Sequence, residues 1–292
     1  MTSHLPPARR RVALVTCAEL PRPDEGLLPL RDAFMARGVD AVACAWDDPH
    51  VAWKDFDVAL VQSTWNYVRR FSDFVPWLAR VATETRLLNP LATIRWNLHK
   101  RYLLELAEAG IPVVPTQLVP ARGNVQWREV FARWGNVVLK PAISAGSFAT
   151  IRVDADDHEA AETHLAAHRE RDMLVQPLLS RVLAEGERNL VYIDGELSHA
   201  VSKAARWSGD SEGSRGCVSV EPDERHVARQ TLDALERFGL PRPTYARVDV
   251  ARDDTGRTLL MELELIEPSL FLHREPAAPD RLVRAVLRQI GD

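Results

Sequence analysis

Cysteine is scarce in these 292 residues: Cys17, Cys44 and Cys217 stand far apart and form no CxxC pair. Such spacing gives neither a disulfide framework nor a thiolate metal site, and a reducing cytoplasm is expected. Long apolar runs are missing, so no stretch approaches the roughly 20 residues that cross a bilayer. Met1–Arg11 is polar, contains Pro6 and Pro7, and lacks a signal-peptide core. An excess of basic charge is also missing; the formal net charge of −4 argues against nucleic acid as a partner. There is no internal repeat, no GxGxxG and no GxxxxGKS/T, which removes both the dinucleotide fingerprint and the Walker loop. With 46% hydrophobic and 27% charged residues, the chain has enough apolar material for about two domains or one composite domain.

Residues 12–92 alternate strand and helix, the pattern of a small α/β unit on a parallel sheet. Strands are expected at 11–18, 39–47 and 57–64. Helices are expected at 24–38, where Pro29 is an awkward guest, and at 71–81, where Phe74, Trp77, Leu78 and Val81 share a face. Ser63-Thr64-Trp65-Asn66-Tyr67 follows a strand, where such sheets place ligand loops; Trp65 and Asn66 either hold substrate or simply pack. One amphipathic helix is expected over 97–111, with Lys100 near its start. Because a first-turn lysine opposes the helix dipole, Lys100 either meets a ligand or lies in solvent. Lys140 ends an apolar strand and precedes the small-residue loop Ser144-Ala145-Gly146-Ser147, then Phe148. This arrangement suits either a cradle of backbone N–H groups around phosphate or a plain hairpin. A strand over 173–179 is interrupted at Gln176-Pro177, since proline cannot donate to a ladder. Asp194-Gly195 marks a hairpin. Arg206–Gly216 is a polar, glycine-rich loop carrying Arg215, either a phosphate clamp or a surface arginine. Helices over 221–239 and 280–290 complete the reading.

The stretch 245–269 is a hairpin turning at Asp253-Asp254-Thr255-Gly256. Strand alternation puts Glu262 and Glu264 on one face, and a turn centred on Thr255-Gly256 sets Asp249 across from Glu262. Opposed like charges destabilise a sheet. Either a hard cation, Mg²⁺ or Mn²⁺, lies among these oxygens, or the face is solvated. On that basis Glu262→Gln is expected to leave metal-free stability intact or slightly improved.

The order of these features resembles the ATP-grasp superfamily, in the branch of glutathione synthetase and the RimK-type amino-acid ligases. The resemblance covers roughly residues 90–292, with the earlier α/β unit matching a Rossmann-like pre-ATP-grasp domain. It implies an α/β (α+β) fold in three parts: 1–92, a central ATP-grasp subdomain over 93–175 and a C-terminal one over 176–292. It further implies ATP as cofactor, with Lys100 and Lys140 on the phosphates and Ser144, Gly146, Ser147 and Phe148 covering them. Gln176, Pro177 and Leu178 would take the adenine and Glu185 the ribose. Asp249, Glu262 and Glu264 would take Mg²⁺ or Mn²⁺. Arg215, Lys203 and Arg206 would be catalytic, and Trp65, Asn66, Glu267 and Ser269 would contact substrate. The family usually has Glu-x-Asn where this chain has Glu262-Leu263-Glu264, an added negative charge that bears on metal number. The segments 176–203 and 261–272, with AWDDP (Ala45–Pro49) and STWNY (Ser63–Tyr67), are similar to the cycloserine-forming members, the O-ureido-serine cyclo-ligases of antibiotic biosynthesis.

The activity implied is that of an ADP-forming carbon–nitrogen ligase. A small amino-acid carboxylate takes the γ-phosphoryl group, and a nitrogen nucleophile displaces phosphate. The nucleophile is internal in a cyclo-ligase and separate in a dipeptide ligase. An ATP-grasp kinase without ligation and a nucleotide-binding protein without turnover are the rivals, the latter disfavoured by the complete carboxylate set. A homodimer is compatible with the resemblance; a membrane role is not.

Overall fold

The computed structural model describes residues 9–20, 24–207 and 214–291. Part of the expected Arg206–Gly216 loop, 208–213, lies outside them. The chain divides into two compact units. The first holds the residues through Leu91, Pro243–Tyr245 and the chain from Leu265 onward; the second holds Ala92–Arg242 and Ala246–Glu264. The segment from Leu265 on, expected with the C-terminal subdomain, therefore belongs to the first unit.

The first unit begins with β1 (Arg11–Thr16), α1 (Leu27–Ala36), β2 (Asp40–Ala45), β3 (Val58–Ser63), α2 (Phe71–Glu84) and β4 (Arg86–Leu88). The strands form one parallel sheet in the order β2-β1-β3-β4. β1 and β3 are buried at nearly every position, which is why they read as unbroken apolar runs. Pro29 falls in the first turn of α1, where its missing N–H breaks no helical bond. Phe74, Trp77, Leu78 and Val81 are the buried stripe of α2.

The second unit contains α3 (Leu91–Asn97), α4 (Tyr102–Glu108), β5 (Gln117–Val119), α5 (Trp127–Trp134), β6 (Val137–Pro141), β7 (Ile151–Val153), α6 (His158–Ala167) and β8 (Met173–Pro177). It continues through α7 (Ser180–Glu185), β9 (Glu187–Ile193), β10 (Glu196–Lys203), β11 (Ser214–Cys217), α8 (Pro222–Arg237), β12 (Tyr245–Arg252) and β13 (Thr258–Glu264). One sheet is antiparallel, in the order β5-β8-β6-β7. Val130 and Phe131 of α5 and Leu165 of α6 pack with its Val137, Leu139, Met173 and Val175. The other sheet runs β11-β10-β9-β12-β13. Asp194 and Gly195 both have positive φ, 52° and 76°, as a two-residue hairpin turn requires.

Three local expectations change. The single helix over 97–111 is instead α3, a turn, and α4. The Asn97 amide donates to the Leu263 carbonyl at 2.8 Å, and the Lys100 N–H donates to that of Ala142 at 2.8 Å. The Asn97 side chain is thus anchored on β13, the Lys100 N–H bonds just past β6 instead of along a helix, and Lys100 lies in the turn before α4. β8 is not interrupted at Gln176-Pro177: both residues pair with β6, opposite Val138 and Val137. β5 accompanies β8 only as far as Val175. The short helix α7 was not anticipated.

The chain returns to the first unit through α9 (Ala278–Ile290), which packs on α1. Arg37 meets Asp280 at 2.6 Å. Tyr245, fully buried, donates its hydroxyl toward the Val61 and Ile266 carbonyls, 2.7 Å each. Among the described residues no helix is long and apolar enough to cross a membrane.

Candidate active site

Asp249 on β12 faces Glu262 on β13, and Arg247 faces Glu264. The register shifts between Asp249 and Val250, leaving Met261 without a cross-strand partner. This bulge produces the Asp249–Glu262 pairing. The expected repulsion between the two carboxylates is absent because each has its own cation. Arg247, buried, donates from Nε to Asp249 Oδ1 at 2.8 Å and from its terminal nitrogen to Oδ2 at 2.8 Å. The same guanidinium bonds Glu264. Glu262 Oε1 lies 2.8 Å from Lys100 Nζ, and Oε2 3.8 Å from Lys140 Nζ. Three cations thus face three anions. Burial opposes ionisation of Glu262, but Lys100 and Lys140 outweigh it and hold the carboxyl at about 2. Burial pushes the Asp249 carboxyl up despite Arg247. It lowers Lys140 in spite of Glu262, with Lys100 adding to the effect.

The donor set fits a hard cation: all oxygens, at neighbouring positions of one hairpin. Asn189, fully buried, donates to Glu187 at 3.5 Å, while its side-chain oxygen has no hydrogen-bond partner. As they stand, however, no three acidic, histidine or cysteine groups among the described residues converge to hold a metal. Binding one requires the carboxylates to exchange lysine and arginine for it.

Lys140 is the penultimate residue of β6, and the loop after it is strained in a way that only a turn explains. Gly146, Ser147 and Ala149 all have positive φ, between 51° and 61°. Ser144 is buried, and its carbonyl accepts from Lys100 Nζ at 2.8 Å. The Arg206 guanidinium comes within 3.8 Å of where a Gly146 Cβ would stand. Gln176 donates to Thr116 at 2.8 Å, and the Leu178 N–H to the Asn136 carbonyl at 2.9 Å. Gln176 and Pro177 carry no β5 partner.

Glu185 ends α7, half exposed and paired with Arg181 at 2.7 Å; its carbonyl accepts from Arg215 at 3.2 Å. Glu187, two residues on, is the better-buried acid and pairs with Lys203 at 2.5 Å, directly across the β9–β10 ladder. Its charge acts on Asp249. Arg247 and Glu187 were missed from sequence. The signal for Arg247 was its i, i+2 relation to Asp249, which puts both on one strand face.

In the first unit Trp65 and Glu267 meet, the indole N–H donating to the Glu267 carbonyl at 3.0 Å. Asn66 accepts from the Trp46 indole at 2.7 Å and donates to Asp47 at 2.8 Å; Arg70 joins the same carboxylate at 2.9 Å. Asn66 therefore ties together the loops after β2 and β3. These loops stand at the carboxyl ends of strands where the order 2-1-3 reverses direction, the usual ligand crevice of such sheets. Ser269 follows Glu267 in this unit.

Similarity to known proteins bears on the whole arrangement. Residues 12–89 match the family described as D-cycloserine synthetase DcsG, N-terminal domain. The cycloserine biosynthesis protein DcsG of Streptomyces lavendulae is 33% identical over 276 residues, 89% of this chain and 92% of that protein. A crystal structure of D-cycloserine synthetase DcsG superposes with a TM-score of 0.89 at 31% identity, covering 96% of this chain and all of that one. A RimK-domain ATP-grasp protein from Sphaerobacter thermophilus shares the fold, with a TM-score of 0.65 at 23% identity over 95% of this chain and 99% of that one. Identity of this order across both units, with a shared fold throughout, establishes that the chain belongs to the DcsG family of ATP-grasp ligases.

Proposed function

We propose that this ligase closes a ring: ATP activates the carboxylate of a small β-substituted amino acid, and a nitrogen of the same molecule displaces phosphate. The observation that carries the reading is the cluster of Lys100, Lys140 and Glu262 beside Arg247, Asp249 and Glu264, in a chain similar to DcsG over 89% of its length. Ser144–Phe148 would cover the phosphates of ATP, and Gln176–Leu178 would hold its adenine. Glu187, rather than the half-exposed Glu185, is the acid turned toward the site. A divalent cation held by Asp249, Glu262 and Glu264 would neutralise phosphate charge. Lys100 and Lys140, now paired with Glu262, would bind the phosphates, and Arg206 and Arg215 would neutralise charge on the transferred group. Catalysis is positioning and electrostatics, with no covalent enzyme intermediate. Trp65, Asn66, Glu267 and Ser269 frame the amino-acid subsite. Cysteines as few and as widely spaced as Cys17, Cys44 and Cys217 suit a reducing cytoplasm.

An internal nucleophile has an effective molarity of about 10⁵–10⁸ M and needs no second amino-acid pocket. O-ureido-D-serine alone with Mg-ATP is therefore expected to release ADP, with a cyclic product identified by mass. Silence with that compound, alongside turnover of amino-acid pairs, would assign intermolecular ligation instead.

Lys140→Ala is expected to weaken ATP binding by about 1.5–3 kcal/mol, the range of a charge-assisted contact. Calorimetry with a non-hydrolysable analogue measures it. Wild-type affinity would move the phosphate site away from β6.

A further inference from the structure

The loop that follows Lys140 is gripped from outside by residues of α6 and the turn after it. His164 Nε2 lies 2.9 Å from the Ala149 carbonyl. A carbonyl only accepts, so this nitrogen carries the proton. His168 stacks edge-on against His164 with ring centres 4.6 Å apart, and against Phe148 at 6.4 Å. The Arg171 guanidinium sits over the Phe148 ring, 5.5 Å from its centre. At the other end of the loop, the Asp172 carbonyl accepts from the Ala142 N–H at 2.8 Å. The Asp172 carboxylate meets His99, the neighbour of Lys100, at 3.1 Å. One short segment, 164–172, thus touches both ends of the phosphate loop and the turn that carries Lys100.

The loop needs such a grip. Ser147 and Ala149 both sit at positive φ without being glycine, a conformation that persists only when its surroundings enforce it. The two internal loop bonds, Phe148 N–H to Ala145 and Thr150 N–H to Ser147, do not connect the loop to the sheet. His164 and His168 are both held below the usual histidine range. For His164 the causes are burial and then His168; for His168 they are burial and then Arg171. A neutral pair avoids setting two imidazolium charges side by side against Arg171.

We infer that His164 is a positioning residue for nucleotide binding: by donating to Ala149 it sets where the Ser144–Phe148 loop stands over the phosphates. This rests on the assignment of that loop to ATP. Because His164 acts through the Ala149 carbonyl, its effect is expected on the nucleotide alone.

The test uses the full chain and three proteins: wild type, His164→Leu and His164→Gln. Glutamine restores an N–H donor near the Nε2 position. Affinity for the Mg²⁺ complex of a non-hydrolysable ATP analogue is measured by calorimetry, and KM values are measured separately for ATP and for the amino acid. The leucine variant is expected to lose about three- to tenfold in nucleotide affinity and to show KM for ATP raised by a similar factor, the span of one hydrogen bond, with KM for the amino acid unchanged. The glutamine variant is expected within about threefold of wild type. Unchanged affinity in His164→Leu, or His164→Gln as weak as His164→Leu, would reduce the contact to packing and overturn the inference. Absence of nucleotide binding by the wild type would remove the ATP assignment itself, and this inference with it.

Discussion

Glu262→Gln is expected to lower ADP formation by about three orders of magnitude, because a metal clamp on transferring phosphate is worth several kcal/mol and each ~1.36 kcal/mol is tenfold. The same change is expected to destabilise the metal-free protein, contrary to the reading of Asp249 and Glu262 as a repelling pair. Glu262 is the shared counter-ion of Lys100, whose side chain is 8% exposed, and Lys140, 12% exposed. Removing it leaves two buried ammonium groups with less compensation. A fully buried pair broken from one side costs about 3–5 kcal/mol. With Glu262 itself 24% exposed, solvent screening reduces that to roughly 1–3 kcal/mol. Thermal unfolding and an ADP assay read the two effects separately. Near-wild-type turnover would place the metal elsewhere. An unchanged or higher melting temperature would mean that the lysines do not depend on Glu262.

Gly186→Ala is expected to be nearly as damaging, through backbone geometry. Gly186 has φ 81° and ψ −168°, a region open essentially to glycine alone, which costs other residues about 1–3 kcal/mol. An added Cβ would also lie 2.2 Å from the Lys203 carbonyl oxygen and 3.0 Å from its carbon. That neighbour is backbone and cannot swing aside. The end of the β9–β10 ladder must open where Glu187 pairs with Lys203. The expected result is a loss of about 3 kcal/mol or more, with turnover down more than about tenfold as Glu187 shifts relative to Asp249. Gly38→Ala is the control. Its φ is 73° but nothing lies within 4 Å of the new carbon, so only about 1 kcal/mol is expected, with activity retained. Equal melting temperatures for the two variants would show that the close approach to Lys203 carries no weight.

Much of the fold was legible from sequence because its signals are local. The apolar runs of β1 and β3, the stripe Phe74-Trp77-Leu78-Val81 and the Asp194-Gly195 turn each express a steric rule over a few residues. The order from Lys100 to Glu264 was enough to point to the ATP-grasp fold, and alternation put Asp249, Glu262 and Glu264 on one face. What those carboxylates do in the folded chain was not legible. The facing of Asp249 and Glu262 was expected from the turn; the bulge at Met261 that delivers it was not. Their partners Lys100, Lys140 and Arg247 come from a turn, a neighbouring sheet and the same hairpin. The break between α3 and α4, the pairing of Glu187 with Lys203 and the return of α9 to α1 were decided in the same way. A hydrogen bond or ion pair between segments far apart in the chain outweighs the helical or strand preference of the residues that make it. Sequence periodicity reports only that local preference; burial, which sets the strength of each charge pair, exists only once the distant segments have met.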